Sequence, residues 1–153
     1  MLARHLEFEK KLYNNQRGIF TLDTGTIMKI EYKVSQDGLR IEAFPKCILD
    51  LESTIDYFEM LTNDKNIKQG ALEIVYFNDV TDFKISFLES KEIIESYQKP
   101  KAVQKINKTV FVCKTDFAYE MGRMLQTLHI ISNPDHKVEV VQSESELEKA
   151  NNS

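Results

Sequence analysis

Residues 108–150 read KTVFVCKTDFAYEMGRMLQTLHIISNPDHKVEVVQSESELEKA, and their order of apolar runs and breakers decides the architecture. Thr109 to Cys113 is a β-branched and apolar run of strand length. Asp116 heads a segment in which Phe117, Met121, Met124, Leu125 and Leu128 recur at helical spacing, which predicts an amphipathic helix capped by that aspartate. Asn133-Pro134-Asp135 predicts a turn, and Lys137 to Gln142 a last strand. Ser143 and Glu146 have the S-x-x-E spacing that opens a helix, here a short one ending near Ala150. A strand, a covering helix and another strand form a right-handed βαβ unit, so the two strands lie parallel in one sheet.

Upstream, IMKIEYKV (27–34) and LRIEAF (39–44) flank Ser35-Gln36-Asp37-Gly38, the pattern of a β-hairpin. Pro45 closes its second strand. Asp50 is placed to cap a helix with Leu51, Ile55, Phe58 and Leu61 or Thr62 on one face. Gly70 precedes ALEIVYF (71–77), a nearly continuous apolar run expected of a central strand covered on both sides. Residues 78–85 read as a loop. Ser86-Phe87-Leu88-Glu89 is a capping box for a helix that turns Phe87, Ile94 and Tyr97 inward and stops before Pro100. The expected fold is therefore α/β, a single mixed, mostly parallel sheet in the order ββαβαβαβα. It occupies residues 27–153, with 1–26 an extension holding a short helix over 2–17.

At 153 residues, with 42% apolar and 29% charged residues and little Gly or Pro, the chain suits one ordered domain needing neither metal nor disulfide. A net charge of -4 without a basic stripe argues against nucleic acid. The densest basic run, Lys99, Lys101, Lys105 and Lys108, reads as a solvated helix-to-strand connection. Cys47 and Cys113 are too few for a disulfide framework, which fits a cytoplasmic protein. The sequence contains neither a signal-peptide pattern nor a span of about 20 apolar residues, so stable membrane insertion is not expected.

TVFVCKTDFAYEMGRMLQTL followed by VEVVQSESELEKA resembles the C-terminal half of small stand-alone SpoIIAA-like proteins, related to STAS domains and to the lipid-binding SEC14-like fold. Phe117, Gly122, Arg123, Met124, Val140, Glu146 and Ala150 carry the resemblance. Its closing Trp-Leu pair is replaced by Asn151 and Asn152, and residues 1–26 lie outside it. The resemblance implies a mixed sheet with helices mainly on one face and a regulatory or binding role. A phosphoserine switch is not implied, because Asn78 to Asp82 and Ser86 lack the Asp-Ser-x-Gly pattern.

In open α/β sheets ligands favour the carboxyl ends of parallel strands, where Asp50, Asp79, Asp82, Thr115 and Asp116 fall. Their carboxylates suit Mg²⁺, but Asp is also the residue of caps and turns, and the local reading is preferred. His5, His129 and His136 have no zinc-type spacing, and none is tied by motif to a thiol. Phe117, Tyr119, Met121 and Met124 fit either a lipid-like pocket or plain core, and Arg123 either an ion pair or a ligand anion.

With the resemblance, these residues lead first to the expectation of a non-enzymatic regulatory or protein-interaction module of the STAS/SpoIIAA-like type, with a protein partner or a second copy of itself. Its surface is expected at Asp79, Asp82, Ser86, Thr115, Asp116, Tyr119 and Arg123. A carrier of an apolar small molecule and a metal-assisted hydrolase using Asp79, Asp82 and Asp116 are the alternatives. No cofactor is expected.

Overall fold

The computed structural model describes residues 30–98, 105–132 and 134–153. Among these the elements run β1 (Ile30–Val34), β2 (Arg40–Pro45), β3 (Cys47–Asp50), α1 (Leu51–Asn63), β4 (Ala71–Tyr76), β5 (Val80–Lys84), α2 (Phe87–Gln98), β6 (Ile106–Val112), α3 (Asp116–Ser132), β7 (Lys137–Val141) and α4 (Glu144–Asn151). The short helix expected within 2–17, the stretch at Lys99 and Lys101, and the inward side chains Phe87, Ile94 and Tyr97 fall outside what is described.

The main sheet has the order β1-β2-β4-β6-β7, with β1 antiparallel to β2 and every other pair parallel. The hairpin turns at Gly38, whose positive φ suits glycine. Strand β4 is central, as its apolar run predicts. Two strands were not expected. β3 and β5 pair with each other as a separate parallel ribbon, so residues read as loop between 78 and 85 include Val80–Lys84. The ribbon is held by non-local pairing that the local residue pattern does not encode: the Cys47 amide donates to the Asp79 carbonyl at 2.9 Å.

Side chains alternate between two layers. Toward α1 and α3 lie Tyr32, Ile41, Ala43, Val75, Phe111 and Cys113, packed with Tyr57, Met60, Leu61 and Met121. On the opposite face Ile74, Val110, Val112 and Val141 pack beneath Leu147 and Ala150 of α4. Helix α2 packs against both α1 and α3. Three helices thus gather on one side and the short α4 covers the other. Gly122 brings α3 close to the sheet, since a Cβ there would stand 2.7 Å from Cys113 Sγ and 3.2 Å from Val140 Cγ1.

Lys108 corrects the reading of a solvated basic run. It is buried in β6, where Nζ donates to the Ala150 carbonyl at 2.6 Å and to Ser153 Oγ at 2.8 Å and pairs with Glu139 at 2.7 Å. Strand alternation points it under α4, where it satisfies a terminal helix carbonyl. Asp50 caps α1 as expected, accepting from the Ser53 amide at 2.9 Å. The buried face of that helix, however, is Thr54, Tyr57, Met60 and Leu61, leaving Ile55 and Phe58 at its margin.

Candidate functional site

A cavity of about 70 Å³ lies between the main sheet and the helices. Its floor comes from β4 and β6 through Glu73, Val75 and Phe111, and α1 lends Thr54, Tyr57 and Phe58 to one wall. Leu125 and His129 of α3 form another, and the accessory ribbon closes a side with Leu49, Phe83 and Ile85 nearby. Most of these side chains are buried. Phe58, Phe83 and Leu125 retain partial exposure, which places the way in among α1, β5 and α3.

Among the described lining residues one is an acid. Glu73 is 3% exposed on the central strand, and parallel register sets it beside Ile41 on one side and Thr109 on the other. Tyr57 Oη donates to its Oε2 at 2.7 Å, and Thr109 Oγ1 donates to its Oε1 at 2.9 Å. Thr109 Oγ1 also lies 2.9 Å from His136 Nε2. A hydroxyl has one proton, so with that proton on Glu73 the threonine accepts from His136, which fixes the tautomer protonated at Nε2. The ring of His129 lies 5.6 Å from that of His136, centroid to centroid. Burial, aided by His136, pushes the pKa of His129 down to about 4, and burial lowers His136 as well. The site at neutral pH is an acid among neutral imidazoles, hydroxyls and hydrocarbon.

The surface residues picked from the sequence occupy other places. Asp79, Asp82, Ser86, Thr115, Asp116 and Arg123 are exposed, and Asp82 sits within β5 rather than in a loop. Ser86 and Glu89 form the expected capping box, with Ser86 N–H to Glu89 Oε2 at 2.7 Å and Glu89 N–H to Ser86 Oγ at 3.2 Å. The cap of α3 is Thr115, whose Oγ1 accepts from the Ala118 amide at 3.1 Å, while Asp116 belongs to the first turn. Tyr119 is half-buried against the core. Among the described residues Arg123 meets neither a carboxylate nor the cavity lining: its Nη1 donates to Gln126 Oε1 at 2.7 Å, and Gln126 in turn donates to the Val138 carbonyl. The loops after β4 and β6 do come together, the Lys114 amide donating to Asn78 Oδ1 at 3.0 Å. Asp79, Asp82 and Asp116 are not brought into a metal-holding group, nor is any other such group of three found among the described residues.

Helix α3 borders the cavity through Leu125 and His129, one and two turns further along the same face than Met121, and not through the Phe117, Tyr119, Met121 and Met124 set expected to line a pocket. Phe117 is 44% exposed and Met121 is core. Glu73, Tyr57, His129 and His136 were missed. The signal was present in ALEIVYF, because an acid inside a strand buried on both faces must find partners.

This arrangement defines an α/β module of the SpoIIAA-like fold with an internal apolar cavity. The fold is that of an uncharacterized protein of the DUF3478 family from Shewanella loihica, at 7% identity and a TM-score of 0.51, with 79% of this chain and 90% of that chain covered. No known family description and no curated protein matches the sequence.

Proposed function

We propose that this protein is a non-enzymatic binding module that houses a small, largely apolar molecule beneath α1 and α3. The cavity carries the reading: a concave, largely apolar chamber with a few convergent polar groups is the usual form of a small-molecule site. The test is native mass spectrometry of gently purified protein together with thermal shifts from small hydrocarbons and alcohols. A retained mass or a raised melting temperature is expected, since a ligand that binds only the folded state stabilises it. Absence of both results overturns the reading.

A protein contact is the second reading, supported by the bridged loops at Asn78 and Lys114, beside which Phe117 stays exposed. Substituting Asp79 and Thr115 is expected to change captured partners or the mass in solution. Unchanged partners and mass count against it. Cytoplasmic residence belongs to the same proposal and is supported by Cys47 and Cys113 both being free thiols. Among the described residues no helix is long and apolar enough to cross a membrane.

A further inference from the structure

The edge of the main sheet at β7 is closed by side chains rather than by another strand. The Cys113 amide donates to the Val141 carbonyl at 2.8 Å, so Lys137, Glu139 and Val141 turn their backbone groups to β6, and Val138, Val140 and Gln142 turn theirs away from the sheet. On that outer side Gln126 Nε2 of α3 donates to the Val138 carbonyl at 2.8 Å, and Glu146 Oε2 of α4 accepts from the Gln142 amide at 2.7 Å. Val140 lies between the two closed groups. A groove of about 510 Å³ runs along it, with Tyr119 of α3 on one wall and Glu146, Lys149 and Ser153 of α4 on the other. An open strand edge is a template for another strand, and side chains that hold its backbone groups keep it from pairing.

The two closed groups are each other's complements. In an antiparallel pair, facing residues of the hydrogen-bonded kind exchange both N–H···O bonds. With two copies related by a two-fold axis through Val140, Val138 of one copy faces Gln142 of the second, and the carbonyl now held by Gln126 would accept from the amide now held by Glu146. The walls match as well. Helix α4 starts beside Gln142 and ends beside Glu139, where Ser153 Oγ donates to Oε1 at 3.4 Å, so the same axis sets the exposed Glu146 of one copy toward the exposed Lys149 of the second. We propose that β7 is a guarded edge for a second copy of this chain: Gln126 and Glu146 stand in for the partner strand, and when they swing aside two copies join antiparallel through Val140.

The experiment is sedimentation equilibrium of the full chain over about a hundredfold range of concentration. Gln126→Ala combined with Glu146→Ala is expected to form a dimer at least about tenfold more tightly than the original chain, because the competing side-chain bonds on each copy are gone. Adding Val140→Pro removes the central N–H, a change that an edge strand tolerates where that N–H faces outward, and is expected to return association to the original value. If the double variant does not fold, Gln126→Ala alone decides, since alanine favours the helix and the α4 cap stays intact. If the proline variant does not fold, Lys149→Glu replaces it and sets acid against acid across the axis. No gain in association, or a gain that survives the disrupting substitution, overturns the proposal. Unchanged mass with binding of an unrelated threonine-valine repeat peptide would give the edge to a foreign strand and overturn the second copy as its occupant.

Discussion

The hydroxyl of Tyr57 reaches across from α1 to Oε2 of Glu73 on the central strand, a 2.7 Å hydrogen bond that ties helix to sheet inside an otherwise apolar layer. A buried donor and acceptor of this kind stabilise the fold mostly by what is lost when one of them is removed.

Tyr57→Phe is therefore expected to lower stability by about 1–3 kcal/mol in urea unfolding, with the aromatic packing on Tyr32 retained. Glu73→Ala removes the acceptor of two hydroxyls and leaves a void, for an expected loss of about 3–5 kcal/mol. Glu73→Gln should fall well short of that figure. Equal losses for the alanine and glutamine variants would show that packing rather than hydrogen bonding holds the site.

The histidines give the fold a definite acid response. His129 titrates near 6.5 when unfolded and near 4 when folded, so between those values the unfolded chain binds more protons. Stability is complete above about pH 7, falls as pH drops through 6.5, and stops falling on this account below about 4. His136 is shifted in the same direction. Between pH 7.5 and 5 the His129 contribution is about 2 kcal/mol. Urea midpoints at the two pH values should show this slope in the original protein and a flatter one in His129→Leu.

The two thiols should differ sharply toward a disulfide reagent. Cys47 is exposed, whereas Cys113 is fully buried and its thiol is pushed up to about 12 by that burial. Nucleophilic attack requires the thiolate. At pH 8, Cys47 is expected to react at once and Cys113 only after denaturant is added. Rapid reaction at both would contradict the packing of Cys113 against α3.

Lys108→Met tests the fastening of α4. The substitution keeps the stem and removes the donor to the Ala150 carbonyl and the pairing with Glu139. Loss of a charged hydrogen bond in this setting is expected to cost about 1.5–3 kcal/mol. Hydrogen exchange should quicken at Leu147 to Asn151 well before it changes in β4.

Much of the main sheet was legible because its signals are local. The hairpin at Gly38, the apolar run of β4 and the amphipathic stripe of α3 each carry their own period. The accessory ribbon was not: Cys47–Asp50 has only four residues, and Val80–Lys84 exposes most of its side chains. Nothing in either segment specifies a partner more than thirty residues away. The site was hidden for a related reason. Tyr57, Glu73, Thr109, His129 and His136 lie on separate elements, and only strand register and helix rotation bring them to one place. Lys108 was misread because its lysine neighbours in the chain suggested solvent, while alternation along β6 points its side chain under α4.

Gly122 has a role that reaches past its own contact. Because α3 rests on the sheet there and lends its next turns to the chamber wall, the bulk of residue 122 acts as a shim under that wall. A methyl group at this position would stand 2.7 Å from Cys113 Sγ and 3.8 Å from Cβ of Phe111, so helix and sheet would have to shift apart at a point that adjoins the chamber floor. The volume of the chamber can therefore be altered through a residue that does not itself line it.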